Sequence, residues 1–251
     1  MIREINVERS GLQIYTRLYL PEGEGKAPYP VVILPHGFNG SCEHSIPYAQ
    51  KMNDAGIAAV IFDFCGGTMH SHSDGVMIQM SVETEKQDLI CVIDAISGES
   101  DLDMKNLFLM GRSQGGLVSA MVAAELPDAI RGLILLYPAF SIPRQAKDMF
   151  ANPEDVPDEM EFLGAVIGRK YYDDVVKVDP ITVQKAYSGN VLIMQGQQDD
   201  LVPPETAEDA VKTYAHAKII RFADAGHGFE GNDFERAAFL AAGFIAKSRF
   251  S

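Results

Sequence analysis

Residues 111–115 read Gly-Arg-Ser-Gln-Gly, directly after the apolar run Leu107-Phe108-Leu109-Met110 and directly before apolar and small residues at helical spacing. This pattern predicts a buried strand that turns without a linker into a helix. No other stretch constrains the chain as much, because G-x-S-x-G is the arrangement that lifts a serine hydroxyl above the edge of an α/β sheet. The serine of such a turn is held in a strained backbone conformation. The chain passes close to itself two residues before and after it, where only small residues fit, and Gly111 and Gly115 stand at those places. Taken alone, the five residues also describe a glycine-rich turn whose serine merely caps a helix. Partners for the serine, arriving in the right order downstream, decide between the two.

The surrounding sequence alternates strands and helices. Residues 3–8 and 12–20 are predicted to form an antiparallel hairpin at a sheet edge, turned at Arg9-Ser10-Gly11, with alternation carried by Leu12, Ile14, Tyr15, Leu18 and Leu20. Val31-Val32-Ile33-Leu34 is a continuous apolar run, as expected of a strand buried on both faces. A helix over 48–55, a strand over 57–63 and an amphipathic helix over 82–97 lead to the strand at 107–110. Further strands are expected at 132–137, 191–195 and 217–222, with helices at 205–215 and 234–247. The order predicts an α/β fold with a mostly parallel central sheet and helices on both faces.

Residues 138–187 interrupt the alternation. They show no clear strand and carry Pro143, Pro153, Pro157, acidic residues and a Gly-Arg-Lys-Tyr-Tyr segment. An inserted lid or cap is expected there, dividing a single domain into core parts 1–137 and 188–251.

Three expected strand ends then carry chemistry. Ser113 follows the strand at 107–110, Asp199 follows 191–195, and His227 follows 217–222 between Gly226 and Gly228. In a parallel sheet these loops emerge at one edge, so distant residues converge. A neutral serine is a poor nucleophile; His227 would take its proton and return it to the leaving group, and Asp199 would hold the imidazole in the right tautomer. Asp200 is the adjacent rival for the acid, with Asp224 more distant; the Asp-x-x-Val-Pro form of residues 199–203 favours Asp199. The fourth strand end, Pro35-His36-Gly37-Phe38-Asn39-Gly40, can point backbone N–H groups into the crevice, as acyl transfer requires for its oxyanion. Phe38 and Gln114, the residue after the nucleophile, are the expected N–H donors. His36 lies too near this strand end to double as the base and reads as a brace for the loop.

Composition narrows the partners. The 251 residues, 47% hydrophobic and 22% charged, suit a globular domain with a sizeable core. A formal charge of −14 argues against nucleic acid and anionic membranes. Cys42, Cys65 and Cys91 are odd in number and widely spaced, as reduced structural thiols are. No stretch is long and apolar enough to span a bilayer and the first residues are not a signal peptide, so a cytoplasmic protein is expected. His70-Ser71-His72 lacks accompanying ligands at metal spacing, so neither metal nor cofactor is expected. The expected partner is a small-molecule ester, and the sequence leaves a homodimer open.

Taken together, the segments Pro35-His36-Gly37-Phe38, Ser73-Asp74-Gly75, Gly111-Arg112-Ser113-Gln114-Gly115-Gly116, Tyr137-Pro138-Ala139, residues 199–203 and Gly226-His227-Gly228 resemble an α/β-hydrolase serine esterase, most of all the bacterial cinnamoyl (feruloyl) esterases with a small inserted lid. The resemblance implies a lid that grips the phenolic ring of the acyl part, with Tyr172 in the place of the gripping tyrosine and Gln145 where the esterase pattern has an acidic residue. Phe64-Cys65-Gly66-Gly67 also departs from the Gly-His-Gly form of relatives. The leading expectation is a carboxylesterase working through an acyl-enzyme. An aminopeptidase or amidase, or a thioesterase, uses the same triad, and a non-catalytic ligand-binding homologue is the reading from outside catalysis. Dehalogenase and dienelactone-hydrolase chemistry would place Asp or Cys where Ser113 stands.

Overall fold

The computed structural model describes residues 1–22 and 27–250. Strands β1 (Ile2–Arg9) and β2 (Leu12–Tyr19) form an antiparallel edge hairpin, turned at Ser10 and Gly11, whose φ angles of 52° and 86° are both left-handed. The chain continues through β3 (Tyr29–Ile33), α1 (Ile46–Asp54), β4 (Ala58–Phe62), α2 (Val82–Ile96), β5 (Leu102–Arg112), α3 (Gln114–Glu125) and β6 (Gly132–Leu136). After an intervening segment come β9 (Asn190–Gly196), α7 (Pro204–Thr213), β10 (His216–Phe222) and α8 (Gly231–Ser248).

The eight-stranded sheet runs in the order β1-β2-β4-β3-β5-β6-β9-β10. Strands from β4 to β10 pair in parallel, and only the β1–β2 hairpin and its junction with β4 are antiparallel. This arrangement makes the chain an α/β-hydrolase fold. The continuous apolar runs follow from burial on both faces: Val31, Ile33, Leu107, Leu109, Leu133 and Leu135 enter one core, and Val32, Leu34, Phe108, Met110, Ile134 and Leu136 enter the other. α3 is buried at every residue from Gln114 to Ala123, which is why its sequence is apolar and small all round rather than striped.

Two expectations are corrected. β5 begins five residues before the expected strand; Leu102 and Asp103 pair with Tyr29 and Pro30, and residues 104–106 fall in the register shift between Pro30 and Val31. The segment expected to lack strands contains a short antiparallel hairpin, β7 (Glu159–Phe162) and β8 (Ala165–Gly168), along with α4 (Ile142–Met149), α5 (Arg169–Val175) and α6 (Pro180–Ala186). The hairpin turns on Leu163 and Gly164 with φ of 47° and 79°, a two-residue turn whose twist suits adjoining strands. Four residues per strand, with β7 only half-buried, leave too little alternation to read in sequence. Among the described residues no helix is long and apolar enough to cross a membrane.

Candidate active site

β5 delivers Ser113 into the turn. Its φ of 52° and ψ of −121° lie outside the regions ordinary residues occupy, and the surroundings hold it there. The Ser113 N–H donates to the Leu136 carbonyl of β6 (3.0 Å), its own carbonyl accepts from Gly116 and Ala139, and the Arg112 N–H reaches the Pro35 carbonyl beyond β3 (3.2 Å). The glycine requirement is steric. A Cβ on Gly111 would stand 2.3 Å from the Gly115 carbonyl oxygen, and one on Gly115 would stand 2.3 Å from that of His36.

The His227 loop rises from β10 and lies on the loop after β9. A Cβ on Gly196 would sit 2.4 Å from the carbonyls of Ala225 and Gly226, so the bare backbone there permits the approach. His227 Nε2 is 3.0 Å from Ser113 Oγ, and its Nδ1 is 2.9 Å and 3.1 Å from the two carboxylate oxygens of Asp199. Asp199 is buried, with Oδ1 accepting from the Leu201 and Val202 N–H groups and Oδ2 from the Gln195 amide. Burial by itself would raise the Asp199 carboxyl. Hydrogen bonds from His227 and the Val202 N–H, the nearby imidazole charge and Gln195 outweigh it and hold the group below its ordinary value. The rival Asp200 is exposed, and the hydrogen bonds of His227 Nδ1 go to Asp199 instead.

The turn after β3 lies against the serine, for a Cβ on Gly37 would stand 3.1 Å from Ser113 Cβ. Phe38, the next residue, has no acceptor for its N–H among the described residues. Gln114 opens α3, so its N–H has no preceding helical carbonyl to bond. His36 is fully buried, accepting the Phe64 N–H at Nε2 (3.2 Å) with Nδ1 on the Gly37 carbonyl (2.8 Å). Burial pushes it down to about 4, leaving a neutral brace.

The segment between β6 and β9 contributes a small apolar pocket whose wall includes Met149, Met160 and Phe162, together with Gln145, Tyr171 and Tyr172. The two lid residues expected from sequence thus share one pocket. Gln145 is largely exposed and its amide donates to the Leu201 carbonyl at 3.5 Å, whereas Tyr172 is buried with its ring edge-on to Phe150. The Phe38 ring lies against the pocket wall, 5.1 Å from the ring of Phe162 and 6.0 Å from that of Tyr171.

Three buried residues at the site were given no role by the sequence reading. Tyr171 donates its hydroxyl to Gln114 Oε1 (2.6 Å), Glu85 accepts from Gln114 Nε2 (2.8 Å), and the Tyr137 ring packs on His227. Glu85 had a legible sign: it lies one helical turn before Leu89, on the apolar stripe with Val82, Val92 and Ile96. Nothing distinguishes Tyr171 from its neighbour in sequence.

Among the described residues, Cys42, Asp63 and His72 bring metal-type ligand atoms within 4.8 Å of one another. The Asp63 oxygens are already taken by the N–H groups of Cys42 and His72 and by His72 Nδ1, and burial together with the Asp63 carboxylate pushes the Cys42 thiol up. The donor set is that of a hydrogen-bonded loop brace.

Residues 26–185 match a family model described as serine aminopeptidase, S33. Mouse monoglyceride lipase is 27% identical over 149 residues, 59% of this chain and 44% of that protein, so the chain spans less than half of that relative's length. An uncharacterized 31.7 kDa protein of Escherichia coli is 26% identical over 270 residues, covering 89% of this chain and 93% of the other. Among solved structures, Est1E from Butyrivibrio proteoclasticus with ferulic acid bound superposes with a TM-score of 0.89 at 25% identity, over 97% of this chain and 98% of that one. DcsB in complex with its substrate analogue, at a TM-score of 0.80 and 20% identity over 99% of each chain, shares the fold.

Proposed function

We propose that this chain, which belongs to the serine aminopeptidase S33 family of α/β-hydrolases, is a serine carboxylic-ester hydrolase working through an acyl-enzyme. The observation that carries the reading is the single imidazole of His227, within hydrogen-bond reach of both Ser113 Oγ and the buried Asp199. His227 Nε2 takes the hydroxyl proton as Ser113 Oγ attacks the ester carbonyl, and the carbonyl oxygen becomes an oxyanion facing the N–H groups of Phe38 and Gln114. Collapse of that intermediate expels the alkoxide, which leaves with the proton from His227. A water activated by the same imidazole then releases the acid.

The acyl group is a small uncharged one, and a hydroxycinnamoyl group is the best candidate. The apolar pocket beside Phe38 offers flat aromatic and thioether walls, and the similarity to the Est1E structure holding ferulic acid supports the choice. Residues 138–187 act as the lid, with Tyr172 and Gln145 meeting the acyl group. Gln145 would donate to or accept from a phenol more weakly than a carboxylate accepts. The family description favours an aminopeptidase as second reading, but the pocket lining carries no carboxylate to hold a free α-amino group.

The test is a panel of methyl ferulate, p-nitrophenyl acetate and butyrate, and an aminoacyl p-nitroanilide, with Ser113→Ala as control. Ferulate turnover lost in the control is the expected result. Short-chain esters alone would remove the hydroxycinnamate assignment, anilide turnover without ester preference would favour the peptidase, and silence from folded protein would overturn the esterase.

A further inference from the structure

Gln114 serves the site twice. Its peptide N–H opens α3 beside Ser113, and its side chain runs the other way, fully buried, to a two-sided clamp. On one side the Tyr171 hydroxyl of α5 donates to Oε1 at 2.6 Å; on the other, Nε2 donates to Glu85 Oε2 of α2 at 2.8 Å. The peptide between residues 113 and 114 is held on its carbonyl side by the N–H groups of Gly116, Leu117 and Ala139, and the clamp adds a side-chain anchor at residue 114, whose own N–H has no intrahelical partner.

We propose that Glu85 is a positioning residue for the reaction, acting through the Gln114 amide on the N–H that faces the oxyanion and doing so as a neutral acid. The proposal rests on the esterase reading above. Its geometric basis is that Glu85 is 1% exposed and its second oxygen, Oε1, has no hydrogen-bond partner among the described residues. A carboxylate with a bare buried oxygen is costly, and a carboxylic acid much less so.

Among the described residues the surrounding charges offer no counter-ion. On α2 itself, Asp88 is taken by Arg9 of β1 and the Cys65 N–H, while Lys86 turns to Glu83 and to Glu125 of α3. From α5 come the Tyr171 hydroxyl and Asp174, the latter accepting from Ser81 and pairing with Lys170 and Lys177. From β2, Arg17 lies over the Tyr15 ring. Burial pushes Glu85 up to about 8; the Gln114 hydrogen bond pulls it down only in part, and Asp88 adds to the rise. Ionisation would set a negative charge one glutamine side chain away from where the tetrahedral intermediate builds its own. The acid form leaves that position to the N–H donors.

The experiment follows kcat and KM for p-nitrophenyl acetate, and the rate of Ser113 labelling by a fluorophosphonate, from pH 6 to 10 in wild type, Glu85→Gln and Glu85→Ala. Wild type should fall about tenfold between pH 7 and pH 9. Glu85→Gln keeps an oxygen for the Gln114 amide and cannot ionise, so it should match wild type at pH 7 and lose the alkaline fall. Glu85→Ala should lose on the order of tenfold in kcat with KM little changed. An alkaline fall that persists unchanged in Glu85→Gln overturns the proposal, even if Glu85→Ala fails to fold. A Ser113 inert to the fluorophosphonate in folded wild type overturns the esterase reading and this proposal together, whereas a labelled Ser113 with a persistent alkaline fall overturns this proposal alone.

Discussion

The ring of Tyr137 lies edge-on to the imidazole of His227, centroids 4.8 Å apart and planes at 63°. Tyr137 occupies this place from a left-handed backbone conformation, φ 38°, anchored by its N–H on the Met194 carbonyl. The same ring stands edge-on to Phe229, which stacks on Phe222, so the face of the histidine is part of the aromatic core beneath α8. The imidazole is therefore held on the line from Asp199 to Ser113 by packing as well as by hydrogen bonds.

Tyr137→Ala should lower kcat by roughly 10–100-fold with a smaller change in KM, because a loosened imidazole spends less time in the productive geometry. Tyr137→Phe, which keeps the ring, should stay within a few-fold of wild type. Steady-state kinetics on p-nitrophenyl acetate checks both; an active Ala variant would mean that Asp199 alone orients the histidine.

Asp199→Asn should reduce kcat by about 10⁴, since an amide favours the wrong imidazole tautomer. The exposed Asp200→Asn should be near wild type. Comparing the two at pH 7, with circular dichroism to verify folding, separates the adjacent acids; equal losses would contradict the observed geometry.

The buried neutral His36 makes a pH-dependent contribution to stability. Its folded value of about 4 lies below the ordinary 6.5, so the folded state binds fewer protons than the unfolded one in that window. The penalty is absent above pH 6.5 and grows as pH falls toward 4, amounting to about 2 kcal/mol between pH 7 and pH 5. His36→Asn should be less stable at pH 7 by about 1–3 kcal/mol, having lost the acceptor for the Phe64 N–H. It should also lose that part of the acid sensitivity. Urea unfolding at the two pH values measures both, and an unaltered pH dependence in the variant would assign the titration elsewhere.

Tyr172→Phe should raise KM for methyl ferulate by about 3–10-fold, the worth of one neutral hydrogen bond to the phenol, and leave p-nitrophenyl acetate unchanged. Equal effects on both esters would mean that the tyrosine supports the pocket rather than reading the ring.

Much of the fold was legible because strands buried on both faces must be apolar at every position, as residues 31–34 and 107–110 are. Local sequence was informative where backbone geometry restricts residue type: the glycines around Ser113 are demanded by close approach, and Gly228 beside His227 by its φ of 133°. The β7–β8 hairpin was not legible, since four residues per strand are too few to carry a periodic signature. Tyr171 was not either, because a hydroxyl that must reach one particular amide looks in sequence like any other aromatic of a covered surface.

The sequence by itself thus determined the strand–helix order and the order in which Ser113, Asp199 and His227 follow their strands. These are local matters, set by periodicity and by which residues a turn tolerates. Only the tertiary structure decided that Asp199 rather than Asp200 meets His227, that Tyr137 supports its ring, and that Glu85 and Tyr171 clamp Gln114 from opposite sides. Each of those contacts joins residues brought together by the parallel sheet and its crossings. Whether a polar group finds its partner across such distances depends on the packing of whole elements, which no local pattern encodes.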